Sequence, residues 1–218
     1  DHASTLLLAP TSTATANLRK EGVDADKIKE VGDVMLDAAI FYRERSEQSD
    51  ILVRLGLHPR DFVLVTLHRA ENVDNSSRLA SIVDAFSQVR KKFVWPMHPR
   101  TRKKIREFEI VLPSNVAIIE PVGYLDMVQL EKNATVIATD SGGVQKEAYF
   151  QKTPCVTLRD ETEWVELVDA GANVLVGSDS QRIIKALTLI RSDIDVFKGC
   201  LYGDGNAGEK VVENIVGF

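Results

Sequence analysis

Apolar runs of strand length recur along the chain, at residues 62–67, 93–97, 116–119, 135–139, 154–158 and 174–176. Polar or turn residues bound each run, and most runs are rich in valine and isoleucine, which predicts β-strands. Between them the apolar positions change to helical spacing. Residues 78–89 put Leu79, Ile82, Val83, Phe86 and Val89 on one face, and 125–130, 144–150, 165–170 and 182–190 read the same way. Strands that are apolar on both faces and alternate with helices predict an α/β fold: a Rossmann-like parallel sheet with helices on both faces. Its crossovers should be right-handed.

The first 45 residues read differently, as the end of another domain with its connecting helix. A strand ends at Ala9-Pro10, Thr11 or Ser12 caps a helix, and Gly22 closes it. A second strand at 28–31 leads through Gly32 to a helix at 34–42. The parallel domain is expected over 46–202, with a tail over 203–218 that carries a helix at 209–216 and exposes an apolar face.

Composition narrows the classes. The chain has 218 residues, 44% of them hydrophobic and 27% charged, which suits a folded domain rather than a disordered or fibrous one. The net charge of −5 argues against a general nucleic-acid partner. No apolar run approaches the roughly 20 residues that cross a bilayer, so no membrane association is expected. Cys155 and Cys200 form no CxxC pair and no metal-ligand spacing appears, so no metal is expected and the chain reads as reduced and cytoplasmic. It begins Asp1-His2-Ala3-Ser4, without an initiator methionine or a basic leader, and reads as a fragment.

In a parallel sheet every strand C-terminus lies along one rim, where ligands of open α/β sheets bind. The residues that follow the expected strands are His68-Arg69-Ala70-Glu71-Asn72, His98-Pro99-Arg100, Asp140-Ser141-Gly142-Gly143 and Arg159-Asp160-Glu161. Two histidines, several arginines and a glycine-rich turn therefore converge. A Ser-Gly-Gly before a helix is equally a plain N-cap. After a buried strand and among cations it points to an anion held by free helical N–H groups, with Ser141 adding a hydroxyl. Glu147 lies one turn further on the same face, where it can accept from ribose hydroxyls or be a solvated helix glutamate. His68 is the acid/base candidate and Arg69 the anion candidate, with strand-end and surface roles as the alternatives. Glu71 is placed to orient Arg69. Met127 suits a core position as well as base contact, and Trp164 opens a helix near the rim. No GxGxxG follows a strand, which leaves a nicotinamide cofactor unsupported, and 203–210 only resembles a phosphate loop.

These motifs, in order, resemble the C-terminal part of the non-hydrolysing UDP-N-acetylglucosamine 2-epimerases. They run from Ala9-Pro10-Thr11 and Val31-Gly32-Asp33 through Thr66-Leu67-His68-Arg69-Ala70-Glu71-Asn72, His98-Pro99-Arg100-Thr101 and Glu120-Pro121-Val122-Gly123-Tyr124. Thr139-Asp140-Ser141-Gly142-Gly143 with Glu147, Leu158-Arg159-Asp160-Glu161-Thr162-Glu163 and Tyr202-Gly203-Asp204-Gly205 complete them. The resemblance implies the C-terminal half of a GT-B-like two-domain fold and a UDP-sugar substrate. UDP would leave across C1–C2 and re-add to invert C2, with no cofactor. It assigns Ser141, Gly142 and Gly143 to the diphosphate and Glu147 to the ribose. His68, as a catalytic residue, and Arg69 would face the diphosphate, Met127 the uracil, and His98 a regulatory site. The family's remaining catalytic groups belong to a first domain outside this chain, and its members are usually homodimers. Trp164 stands where many members have arginine, which leaves the sugar open. A UDP-2,3-diacetamido uronic acid, or a GT-B glycosyltransferase donor domain, is the alternative.

Overall fold

Hydrophobic alternation along the strands sets the layers. A computed structural model describes residues 1–189 and 194–217. The chain divides into two units: Asp1–Glu44 with Lys198–Phe218, and Arg45–Phe197.

In the first unit, β1 (Leu7–Ala9) pairs in parallel with β2 (Ile28–Glu30) across α1 (Ser12–Lys20). The Thr11 hydroxyl caps α1 by accepting from the Ala14 N–H at 3.1 Å. Gly22 follows that helix at φ 85°, a left-handed conformation that suits glycine. The next helix, α2 (Val34–Ser46), runs beyond the expected 34–42.

The second unit opens with the short α3 (Ile51–Arg54) and is built on a parallel sheet. Its strands are β3 (Phe62–Thr66), β4 (Lys92–Pro96), β5 (Val116–Ile119), β6 (Val136–Thr139), β7 (Cys155–Thr157) and β8 (Asn173–Leu175). Their spatial order is β5-β4-β3-β6-β7-β8. The helices are α4 (Ala70–Val73), α5 (Ser76–Gln88), α6 (Pro99–Glu107), α7 (Tyr124–Asn133), α8 (Gly142–Phe150), α9 (Val165–Asp169) and α10 (Ser180–Leu189). The expected helix at 182–190 thus ends at Leu189 here, because Ile190 lies outside the described residues.

Successive strand residues alternate between two cores, as a pleated strand covered on both faces requires. Val63 and Val65 join Leu79, Phe86, Trp95, Ile105 and Leu187 on the side of α5, α6 and α10. Phe62 and Leu64 join Ile51, Leu130, Ala148 and Cys155 on the side of α3, α7 and α8. The buried Cys155 thiol is pushed up to about 12 by burial, and both cysteines are free. Pro96, which has no N–H to donate, ends β4 beyond its register with β3, where the pairing is with β5 alone.

After the second unit, α11 (Ala207–Val216) returns to the first. Asp37 on α2 accepts from the N–H groups of Ala207 at 3.1 Å and Gly208 at 2.7 Å. That carboxylate occupies the start of α11, so the glycine-rich segment before it serves a helix cap. Val212, Ile215 and Val216 of α11 are exposed, as the expected apolar face requires.

Candidate functional site

The chain enters the large sheet at β3, moves outward through β4 and β5, and returns to β6 on the other side of β3. Strand order therefore reverses between β3 and β6, and a crevice opens at their C-terminal ends. The two loops that meet there are Leu67-His68-Arg69 and Asp140-Ser141. Asp140 ties them together. Its fully buried carboxylate accepts from the His68 N–H at 3.1 Å, the Arg69 N–H at 2.9 Å and Asn72 Nδ2 at 3.2 Å. His68 Nδ1 lies 3.7 Å from Asp140 Oδ1, too far for a hydrogen bond. Asn72 also donates to the Leu158 carbonyl at 2.8 Å, which links β7 to the same loop.

Helix α8 begins in this crevice. Ser141 is its N-cap, and its Oγ accepts weakly from the Val144 N–H at 3.5 Å. The N–H groups of Gly142 and Gly143 have no carbonyl one turn back within the helix, which is the arrangement that receives anions. A methyl group on Gly142 would sit 3.3 Å from Trp164 Nε1, 3.5 Å from Glu163 Oε1 and 3.7 Å from Arg69 Nη2. Glycine there lets the rim close around the helix start. Glu163 holds two cations, Arg159 at 2.6 Å and Arg69 at 3.5 Å. Burial pushes its carboxyl up, but the hydrogen bonds and the two guanidinium charges outweigh that and hold it below the usual range. The Lys146 ammonium lies 4.3 Å from the Trp164 ring centroid, a cation–π contact that keeps positive charge at a position occupied by a neutral side chain. Gln145 on α8 fixes this wall by accepting from Thr162 at 2.7 Å and Asn173 at 3.1 Å.

Beside the helix start lies a recess of ≈ 210 Å³ lined by Leu67, His68, His98, Pro121, Val122, Met127 and Val144. His98 thus shares a recess with His68. Its Nδ1 accepts from the Arg100 N–H at 3.1 Å and caps α6. One turn behind Met127 and Val144 are Glu131 and Glu147. Glu131 is fully buried, and burial followed by the neighbouring Glu147 pushes its carboxyl well above the usual range. Burial also raises Glu147, opposed by the charge of Lys146 and by its contact with Glu131.

The rim therefore assembles His68, Arg69, Ser141, Gly142, Gly143 and Trp164, with Met127 and His98 along the recess and Glu147 behind it. The expected partner of Arg69 is corrected. Glu71 pairs with Arg78 at 2.9 Å, because the first turn of α5 brings Arg78 back over α4, and Glu163 takes Arg69 instead. Two participants were given no role in the sequence: the buried Arg159, named there only among the rim arginines, and Glu131. The acidic character of Glu131 ended the apolar stripe at Leu130 and so concealed its burial. Among the described residues no cluster of metal ligands occurs, and no helix is long and apolar enough to cross a membrane.

Fold and rim together define a doubly wound α/β domain with a helix N-terminus and cationic side chains at its switch point. The family model described as UDP-N-acetylglucosamine 2-epimerase matches residues 1–216, and the chain belongs to that family. It is 43% identical to the UDP-N-acetylglucosamine 2-epimerase of Methanocaldococcus jannaschii, over 97% of this chain and 61% of that one. It is 45% identical to the UDP-2,3-diacetamido-2,3-dideoxy-D-glucuronate 2-epimerase of Pseudomonas aeruginosa, over 98% and 60%. The crystal structure of the M. jannaschii UDP-GlcNAc 2-epimerase in complex with UDP-GlcNAc and UDP superposes with a TM-score of 0.88 at 40% identity, covering 100% of this chain and 62% of that one. The chain thus has the GT-B-like fold of these enzymes over about three-fifths of their length.

Proposed function

We propose that this chain supplies the UDP-binding part of a UDP-N-acetylglucosamine 2-epimerase, which interconverts the gluco and manno forms of the UDP-sugar. The carrying observation is the start of α8 lying at the β3–β6 switch point with Arg69 beside Gly142. The diphosphate would rest on the N–H groups of Gly142 and Gly143 and the Ser141 hydroxyl. Arg69 would offset its charge, and Trp164, backed by Lys146, would close the wall. Val122 and Met127 offer an apolar surface to the uracil, and Glu147 would accept from the ribose hydroxyls.

Elimination across C1–C2 makes UDP the leaving group, so the developing charge sits on the diphosphate. A helix N-terminus and a guanidinium stabilise that charge without reorganising. His68, held through its backbone by Asp140, would act as an acid or as a donor to the departing phosphate. A base would take the C2 proton as UDP leaves C1, and return of UDP to C1 with delivery of a proton to the opposite face of C2 would complete the inversion. The remaining acid/base groups would come from the part of the family fold outside these residues. We assign His98, which lines the same recess, to a regulatory UDP-sugar site. We also assign the assembled enzyme to the cytoplasm, as a homodimer that feeds cell-surface polysaccharide synthesis.

A second reading, inversion of a UDP-2,3-diacetamido uronic acid, is favoured by the likeness to the Pseudomonas relative. The test has two arms. UDP should protect this chain against thermal unfolding. A polypeptide completing the relatives' length should convert UDP-GlcNAc to its manno isomer with no acceptor present. Turnover of only the diacetamido uronic acid establishes the second reading, and a requirement for an acceptor overturns both.

A further inference from the structure

We propose that Glu131 is a positioning residue for Glu147: from the core side, its carboxyl O–H holds the Glu147 carboxylate toward the ribose of a bound nucleotide. The inference rests on the ribose assignment of Glu147 given above. Helical spacing places the pair. Glu131 is four residues after Met127 on α7, and Glu147 is three residues after Val144 on α8. Met127 and Val144 line the recess, so the acids lie one turn behind it.

Glu131 gives the fold little. It is fully buried, and no donor among the described residues reaches either carboxyl oxygen. The core on this side of the sheet is apolar, with Leu130, Ala134, Ala148 and Cys155, and Glu131 acts on the Cys155 thiol. Thr153 donates to its main-chain carbonyl rather than to its side chain. The charged or titratable groups around the pair are Lys146, which acts on Glu147, and the Cys155 thiol. Such surroundings strongly disfavour a lone carboxylate, so Glu131 keeps its proton. A neutral Glu131 has one O–H to give, and Glu147 is the acidic acceptor beside it. With one lone pair of Glu147 occupied from behind, its other oxygen is free to accept from the two vicinal ribose hydroxyls.

Titration calorimetry with UDP and 2′,3′-dideoxyUDP tests this. The wild-type chain should prefer UDP, and Glu147→Gln should lose the preference. Glu131→Met should weaken UDP roughly tenfold, as loss of one hydrogen bond to a charged group would, and leave dideoxyUDP unchanged. Glu131→Gln retains an N–H donor and should keep most of the preference. If Glu131→Met keeps the wild-type preference while Glu147→Gln loses it, Glu131 has no positioning role and the ribose assignment stands. If Glu147→Gln also keeps it, or the wild type has none, the ribose assignment falls and this inference with it. Should Glu131→Met not fold, infrared difference spectra decide. A protonated-carboxyl band that vanishes in Glu131→Gln must shift when UDP binds, and a band indifferent to UDP overturns the proposal.

Discussion

Asp140 and Glu131 are both fully buried acids near the same crevice, and they behave differently because one is met by donors and the other is not. Asp140 accepts from two backbone N–H groups and a side-chain amide. Removing its carboxylate strands those donors, so Asp140→Ala should cost about 3 kcal/mol in chemical denaturation. A loss below about 1 kcal/mol would contradict this anchoring role. Glu131 works the other way. Its folded carboxyl holds a proton above the ordinary value of 4.5. The folded state then binds more protons than the unfolded one between those two values. The stability linked to this group is full below the unfolded value and falls as pH rises toward the folded one. Glu131→Gln removes the titration, so melting temperatures followed from acid to neutral pH should decline less steeply than in the wild type. An unchanged slope would show that Glu131 does not carry the linkage.

At the scale of elements, the parallel strands were legible because valine and isoleucine runs buried on both faces have few other uses. Their ends moved by no more than one residue, since strand pairing rather than hydropathy sets them. Lys92 and Asn173, both polar, open β4 and β8. Helix α6 was not legible. Six of its nine residues are charged, and only Thr101 and Ile105 are buried. The order of the strands cannot be read from local pattern, yet it brings the Ser141 turn to the His68-Arg69 loop. Rim side chains were identifiable from the residues that follow strands, whereas their partners were not, as Arg69 pairing with Glu163 instead of Glu71 illustrates. The start of α8 is the element on which the account depends. Ser141→Ala combined with Gly143→Val should weaken UDP more than Glu147→Gln does, because the added side chain blocks backbone access. Calorimetry giving the reverse order would move the diphosphate away from this turn.

Across the whole molecule, all the rim residues belong to the unit Arg45–Phe197, whose core covers both faces of one sheet. The unit formed by Asp1–Glu44 and Lys198–Phe218 contributes none of them. Hydrogen exchange on the intact chain should therefore show UDP protecting peptides that cover residues 66–73 and 139–147, with 1–44 unchanged. Protection centred on 1–44 would relocate the site to the other unit.

The central claim is a diphosphate held on the first turn of α8, and the most direct measurement is titration of the chain with UDP and with uridine. One UDP should bind per chain, with affinity for uridine at least tenfold weaker, because the helix N–H groups and Arg69 act on the phosphates. Equal affinities for the two, or no binding of UDP, would contradict it.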